Sequence, residues 1–205
     1  AKKHYQYCIK QGFNDYRVFS NYGIILKNLK KFQEAESSYR KAIALKPDYA
    51  EAHSNLGNVL RDLDKLQEAE FSYRKAIELK PDFANAYSNL GIILKELSKL
   101  QEAEISLRKA IELNPNFADA YSNLGNILKD LGNLQEAELL MRKAIELKPN
   151  YSIAYSNLGN ILQDLGKLEE AEVSIRKSIE INPNFFNSHF LLGTILLGQK
   201  KLQEA

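Results

Sequence analysis

Residues 118–151 read ADAYSNLGNILKDLGNLQEAELLMRKAIELKPNY, and this stretch recurs along the whole chain with small changes. The prolines fix the period at 34 residues, since they stand at Pro47, Pro81, Pro115, Pro149 and Pro183. The glycines keep the same step, at Gly23, Gly57, Gly91, Gly125, Gly159 and Gly193. A fixed period of this length predicts an array of repeats, in which each unit packs mainly on its neighbours, and not a globular domain with one core.

Setting each of these glycines at position 8 divides the 205 residues into five complete repeats and two partial ones. We expect them to form a single elongated array. Residues 1–15 supply only a second helix, and residues 186–205 supply a first helix and the start of a second. Ala1 and Ala205 stand at the same phase of the repeat, so we expect a fragment of a longer array. The complete repeats are 16–49, 50–83, 84–117, 118–151 and 152–185.

Apolar side chains spaced i, i+3, i+4 and i+7 predict two helices in each repeat, a first helix at about positions 1–14 and a second at about 18–31. Proline ends the second helix, because it disfavours helical geometry in the residue before it. The residue after proline, such as Asp48 or Asn116, is expected to cap the next first helix. Each first helix should end in a left-handed residue. The residues at that place are Lys30, Asp64, Ser98, Gly132 and Gly166.

Small side chains mark the places where helices are expected to pack closely. Gly125 and Ala137 are the predicted contact between the two helices of one repeat, and Ala144 is the contact of the second helix with the next first helix. Larger side chains would hold these backbones apart. Cys8 falls at the same position of its repeat as Ala144, so we interpret it as a buried packing residue and not as a reactive thiol.

The composition argues against several classes of partner. The chain has 28 Lys and Arg against 26 Asp and Glu, interspersed along the sequence, for a net charge of +2. No charged field therefore favours nucleic acid or anionic lipid. No apolar run is long enough to cross a bilayer, and the start lacks the apolar core of a signal peptide. With Cys8 as the single cysteine, these features predict a cytoplasmic protein with no nucleic acid or membrane partner.

No residues have the spacing of a catalytic or cofactor site. His4, His53 and His189 have no partner at metal-ligand spacing. The sequence shows no Ser/His/Asp set, no pair of buried carboxylates and no glycine-rich phosphate loop. We therefore predict no metal, no cofactor and no enzymatic activity.

The pattern within each unit resembles the tetratricopeptide repeat (TPR) family, and the match recurs in phase over the whole chain. In the unit at 50–83 the matching residues are His53, Leu56, Gly57, Ala69, Tyr73, Ala76 and Pro81. The resemblance implies an all-α, right-handed superhelical solenoid of antiparallel helix pairs, whose first helices line a concave groove for a peptide or protein. The phrase AYSNLGN at 120–126 is also similar to the array that precedes the catalytic domain of O-linked N-acetylglucosamine transferases.

The positions that line the groove in that family carry asparagine and serine here. Asparagine is a poor helix former, so local propensity does not favour it. Its amide both donates and accepts hydrogen bonds, which suits the backbone of an extended peptide. The alternatives are that these residues were copied with the repeat or that they bond adjacent first helices to each other. The candidate residues are Asn21, Asn55, Asn89, Asn123 and Asn157 at position 6, Asn58, Asn126 and Asn160 at position 9, and Ser54, Ser88, Ser122 and Ser156 at position 5.

We interpret the chain as a non-catalytic scaffold that binds a peptide or an extended protein segment in an Asn/Ser-lined groove. One alternative is the substrate-recruiting array of a glycosyltransferase whose catalytic domain lies elsewhere. Another is a structural array that stacks on itself. In the last partial repeat Phe190, Leu191 and Leu197 replace polar residues, so we also expect end-to-end association with the opening helix of another chain, which contains Tyr5.

Overall fold

The structure is a computed structural model that describes Lys3, Tyr5, Tyr7 and residues 11–203, with side chains up to residue 200. Of the second helix predicted within residues 1–15, those three residues are described and are helical. The predictions for His4 and Cys8 lie outside the described residues. Residues 11–203 form eleven helices and no strand, which confirms the all-α class.

The helices follow the repeat, with first helices odd-numbered and second helices even-numbered. Each complete first helix occupies positions 1–13 and each second helix positions 17–30, one residue from the predicted bounds. They are α1 (Tyr16–Asn28), α2 (Phe32–Leu45), α3 (Ala50–Asp62), α4 (Leu66–Leu79), α5 (Ala84–Glu96), α6 (Leu100–Leu113), α7 (Ala118–Asp130), α8 (Leu134–Leu147), α9 (Ser152–Asp164), α10 (Leu168–Ile181) and α11 (Phe186–Gln203). Residues 1–102 and 103–205 each form a compact unit.

In four of the complete repeats, glycine at position 8 allows the close approach of the two helices. A Cβ atom built on Gly57 would lie 2.8 Å from the Tyr73 ring. One on Gly125 would lie 2.9 Å from Cε of Met141 and 3.2 Å from the carbonyl oxygen of Ala137. Ala137 itself is fully buried. The predicted contact between the glycine and alanine positions is thus confirmed in this repeat.

The turn after each first helix is left-handed, as predicted, even where the residue is not glycine. Gly132 has a φ of 83° and Ser98 has a φ of 60°. The Gly132 N–H donates to the carbonyl of Lys129 at 3.0 Å, and the Asn133 N–H donates to that of Leu128 at 2.8 Å. These two bonds form a Schellman motif, which satisfies the last carbonyl groups of α7.

The predicted capping of first helices by the residue after proline is wrong. The helix begins one residue later than that prediction requires, so Tyr49 and Phe117 stand at the cap position and make no side-chain cap bond. Asp48 and Asn116 lie one residue too far from the orphan N–H groups of the helix. In α1 the cap position itself carries a polar residue, Asp15, which accepts a hydrogen bond from the Arg17 N–H at 2.8 Å.

Candidate peptide-binding face of the first helices

The four predicted groove serines are mostly buried. Ser54, Ser88, Ser122 and Ser156 expose only 1–4% of their surface. Within each unit the first helices of neighbouring repeats approach each other, as α3 and α5 or α7 and α9 do. A small side chain at position 5 allows that approach. These serines therefore lie mainly in the core, although Ser156 also lines the pocket between α9 and α11.

The asparagines, one position further along the helix, remain accessible. Asn21 is exposed. The others are half-buried, with part of each side chain open to solvent, namely Asn55, Asn58, Asn89, Asn123, Asn126, Asn157 and Asn160. Adjacent helical positions differ by about 100° around the axis, so positions 5 and 6 fall on different sides of the contact between first helices.

In the unit formed by residues 1–102, two of these asparagines bond to the protein itself. The Asn58 Oδ1 atom accepts a hydrogen bond from the Tyr73 hydroxyl at 2.9 Å. The same oxygen accepts one from Nδ2 of Asn89 at 3.3 Å. Asn58 thus joins its own first helix, α3, to α4 and to α5 of the next repeat. For this pair the structure supports the alternative in which asparagines hold helices together.

In the unit formed by residues 103–205, the corresponding asparagines have different neighbours. The place of Tyr73 is taken by Met141 in one repeat and Ile175 in the next, neither of which has a hydroxyl group. Within the part of the chain that the structure describes, the side chains of Asn123, Asn126, Asn157 and Asn160 make no hydrogen bond to protein. Their amides are therefore available to solvent or to a ligand.

A pocket of about 190 Å³ lies between α9 and α11, beside two of these amides. Asn157 and Asn160 line it from α9, and Phe190 and Leu191 line it from α11. Asn187 also faces it, while Phe190 is 63% exposed. Phe190 and Leu191 occupy positions 5 and 6 of their repeat, so the register that singled out the asparagines could also have placed these two residues at the site.

Ion pairs link neighbouring first helices at their C-terminal ends. The Nη2 atom of Arg61 lies 2.6 Å from Oε1 of Glu96, and Nε of the same arginine donates to this carboxylate. In the other unit, Nζ of Lys129 lies 3.3 Å from Oδ2 of Asp164. Such partly exposed pairs each contribute roughly 0.2–1 kcal/mol. These charges are therefore paired between neighbouring repeats.

The described histidines bond to turns. Nε2 of His53 lies 2.9 Å from the carbonyl oxygen of Pro47, and Nε2 of His189 lies 2.8 Å from that of Pro183. Among the described residues, no three His, Cys, Asp or Glu side chains are grouped as metal ligands. Over the same part of the chain, none of the helices combines the length and apolar character needed to span a bilayer.

Sequence models of tetratricopeptide families match most of the chain. The model described as TPR repeat matches residues 23–64, 57–98 and 125–166. The model described as tetratricopeptide repeat matches residues 84–117 and 152–185. Among curated proteins no sequence matches this chain.

Solved structures of such repeats are similar to the chain over most of its length. YrrB, a TPR protein with an unusual peptide-binding site, is 25% identical, with a TM-score of 0.72 over 93% of this chain and 98% of that one. MamA is 28% identical, with a TM-score of 0.71 over 78% of this chain and 94% of that one. TTC0263 of Thermus thermophilus is 21% identical, with a TM-score of 0.72 over 89% and 99%, and shows likeness of fold alone.

Proposed function

Because the chain belongs to the tetratricopeptide repeat family, whose fold is a protein-interaction scaffold, we propose that it binds an extended peptide segment. The binding site is the face formed by the first helices α7, α9 and α11 within residues 103–205. On this proposal the chain is non-catalytic and recognises its partner mainly through the peptide backbone.

The observation that supports this proposal most directly is the state of the asparagine amides. Asn157 and Asn160 are half-buried and make no hydrogen bond to the described part of the protein. Such an amide keeps its donor and acceptor for water, and a peptide backbone supplies the same two groups in a fixed arrangement. First helices one repeat apart are separated by about 10 Å, which equals about three residues of extended chain. Asn123 and Asn157 would thus bond every third residue.

The pocket beside Phe190 adds a side-chain preference to this backbone recognition. Its volume of about 190 Å³ suits one side chain of the bound peptide. Phe190 and Leu191 offer apolar surface on one side, while Asn157 and Asn187 offer amides on the other. An aromatic side chain with a polar tip, such as tyrosine, satisfies both sides. The peptide-binding site named for YrrB is a precedent for this class of ligand in a similar fold.

The test is to select peptides from a phage-displayed library of random dodecapeptides and to measure their affinity by calorimetry. Asn157→Ala with Asn160→Ala should weaken binding about tenfold or more, since each lost hydrogen bond costs roughly 1 kcal/mol. Asn21→Ala is the matched control, because Asn21 is the exposed equivalent in the other unit. A library that yields no binder, or binders equally insensitive to both variants, would contradict the proposal.

Exposed apolar side chains on α11 favour a second candidate function, which is association with another copy through this helix. Phe186 is 76% exposed and Leu197 is 65% exposed. Burying such side chains against a partner helix would remove apolar surface from water. Leu197→Glu should then lower the association constant in a sedimentation experiment, and an unchanged constant would exclude this contact. We also propose a cytoplasmic location, since Cys8 is the only cysteine.

A further inference from the structure

The outward face of the second helices has exposed apolar side chains that the core does not use. Val173 on α10 is 69% exposed, and Leu139 on α8 is 67% exposed. Both stand at position 22, where Phe71 and Ile105 are also 70% exposed or more. Single exposed apolar residues are common, but the same exposure at one position in four repeats is a pattern. The first repeat differs, because it has Ser37 at this position.

Val173 stands between two clefts on this face. One, of about 550 Å³, lies between α8 and α10 and has Ile145 and Leu158 among its apolar lining residues. The other, of about 260 Å³, is lined by Arg142, Glu169 and Val173. Within the unit formed by residues 103–205, the second helices α8 and α10 do not approach each other as the first helices do. Both clefts therefore belong to one groove between α8 and α10, with the exposed Val173 at its edge.

The charges on α10 are arranged symmetrically about Val173. Glu169 lies four residues before it and Lys177 lies four residues after it, so all three side chains share one face of the helix. Glu169 is exposed and makes no ion pair with the described part of the chain. Among the described residues, Lys177 pairs only with the exposed Glu180, at 2.7 Å. The order along the helix is thus acidic, apolar and basic.

We propose that this face binds a second copy of the chain, with the two α10 helices lying antiparallel across a twofold axis near Val173. The twofold axis places Glu169 opposite Lys177 of the partner subunit, and Lys177 opposite Glu169 of the partner subunit. Val173 of each copy packs against Val173 of the other, beside the cleft between α8 and α10. A second copy also matches the spacing of the exposed side chains at position 22, since both copies have the same repeat. Such an isologous contact closes at the dimer.

Sedimentation velocity over a concentration series tests the contact. In the Leu197→Glu variant, which lacks the α11 contact considered above, the chain should form a reversible dimer, of twice the 23.4 kDa of one chain, and growth beyond the dimer would overturn the proposal. Val173→Arg should weaken dimerisation about tenfold or more, while Ser37→Arg, at the same position of the first repeat, should leave it unchanged. A chain that stays monomeric at all concentrations, or equal effects of both arginine variants, would also overturn it.

Charge-reversal variants distinguish a specific antiparallel contact from non-specific hydrophobic association. Glu169→Lys alone and Lys177→Glu alone should each weaken the dimer, because each places like charges opposite one another. The double variant E169K/K177E restores opposite charges across the twofold axis and should recover the dimer. Because both residues lie outside the first-helix face, these variants should leave peptide binding unchanged. Failure of the double variant to recover the dimer would refute the antiparallel arrangement.

Discussion

Replacing Asn58 and Asn160 separately by alanine should have opposite effects on stability, although both residues stand at position 9 of a first helix. Asn58 accepts hydrogen bonds from the Tyr73 hydroxyl and the Asn89 amide, at 2.9 and 3.3 Å. Asn160 has Ile175 where a tyrosine would stand, and its side chain makes no hydrogen bond to the described residues. The two variants therefore differ in what the folded state loses.

The magnitudes follow from the environment of Tyr73. This residue is 1% exposed, and burial raises the pKa of its hydroxyl, so the group is poorly placed to find water once Asn58 is removed. Leaving a buried hydroxyl unpaired costs roughly 1–3 kcal/mol. Alanine has a higher helix propensity than asparagine, which stabilises either variant by about 0.5 kcal/mol. We expect Asn58→Ala to destabilise the fold by about 1–2 kcal/mol, and Asn160→Ala to stabilise it by up to about 0.5 kcal/mol.

Thermal melts followed by circular dichroism measure the loss of stability. The melting temperature of Asn58→Ala should lie about 2–8 °C below that of the parent in a chain of this size. A repeat array need not melt in two states, so amide exchange of α4 should be measured alongside. Adding Tyr73→Phe to Asn58→Ala removes the orphaned hydroxyl and should recover part of the loss. The reasoning is refuted if Asn160→Ala destabilises the chain as much as Asn58→Ala does.

Three further changes probe the helix contacts, the turns and the ion pairs. Gly57→Ala should destabilise the chain by roughly 1–3 kcal/mol, and Gly125→Ala by less. The new Cβ meets a rigid Tyr73 ring in the first variant and the flexible end of Met141 in the second. Equal losses of stability in urea unfolding would contradict this. Ser98→Gly should raise the melting temperature, with up to about 1 kcal/mol of stabilisation, because Ser98 has a φ of 60°. Burial raises the pKa of Glu138, but hydrogen bonds from Lys167 and Arg142 outweigh it and hold that pKa below its ordinary value. The stability from this carboxylate is therefore present above pH 4.5 and lost as the pH falls through the lower folded value, so Glu138→Gln should flatten the acid side of a stability profile measured by urea unfolding.

The sequence predicted the fold well because the period constrains every repeat in the same way. Proline and glycine at fixed steps located the ends of both helices to within one residue. The left-handed turn at Ser98 was predicted from its alignment with Gly132, even though serine has no preference for that conformation. A register shared by several repeats therefore compensates for weak local signals.

The sequence predicted the site less well, because neighbouring positions on a helix differ in how deeply they are buried. Ser122 and Asn123 are adjacent, yet the serine is buried and the asparagine is half-open. Which of the two faces the neighbouring first helix depends on how successive repeats pack, and the period alone does not determine that rotation. The capping prediction at Asp48 failed by a single residue, because the helix begins at Ala50 and Tyr49 stands at the cap position.

The pairing of positions 9 and 24 shows how one repeat sequence supports two roles. Where tyrosine stands at position 24, as Tyr73 does, the asparagine amide of Asn58 is bonded within the scaffold and contributes to stability. Where Met141 or Ile175 stands there, packing in the core is kept, but the amides of Asn126 and Asn160 are left without that partner. Exchanging one side chain at a buried position thus leaves an amide accessible without disturbing the helix that presents it. Residues that break a favourable local interaction with no visible compensation are expected at functional sites, and this is the physical reason to place the ligand against α9.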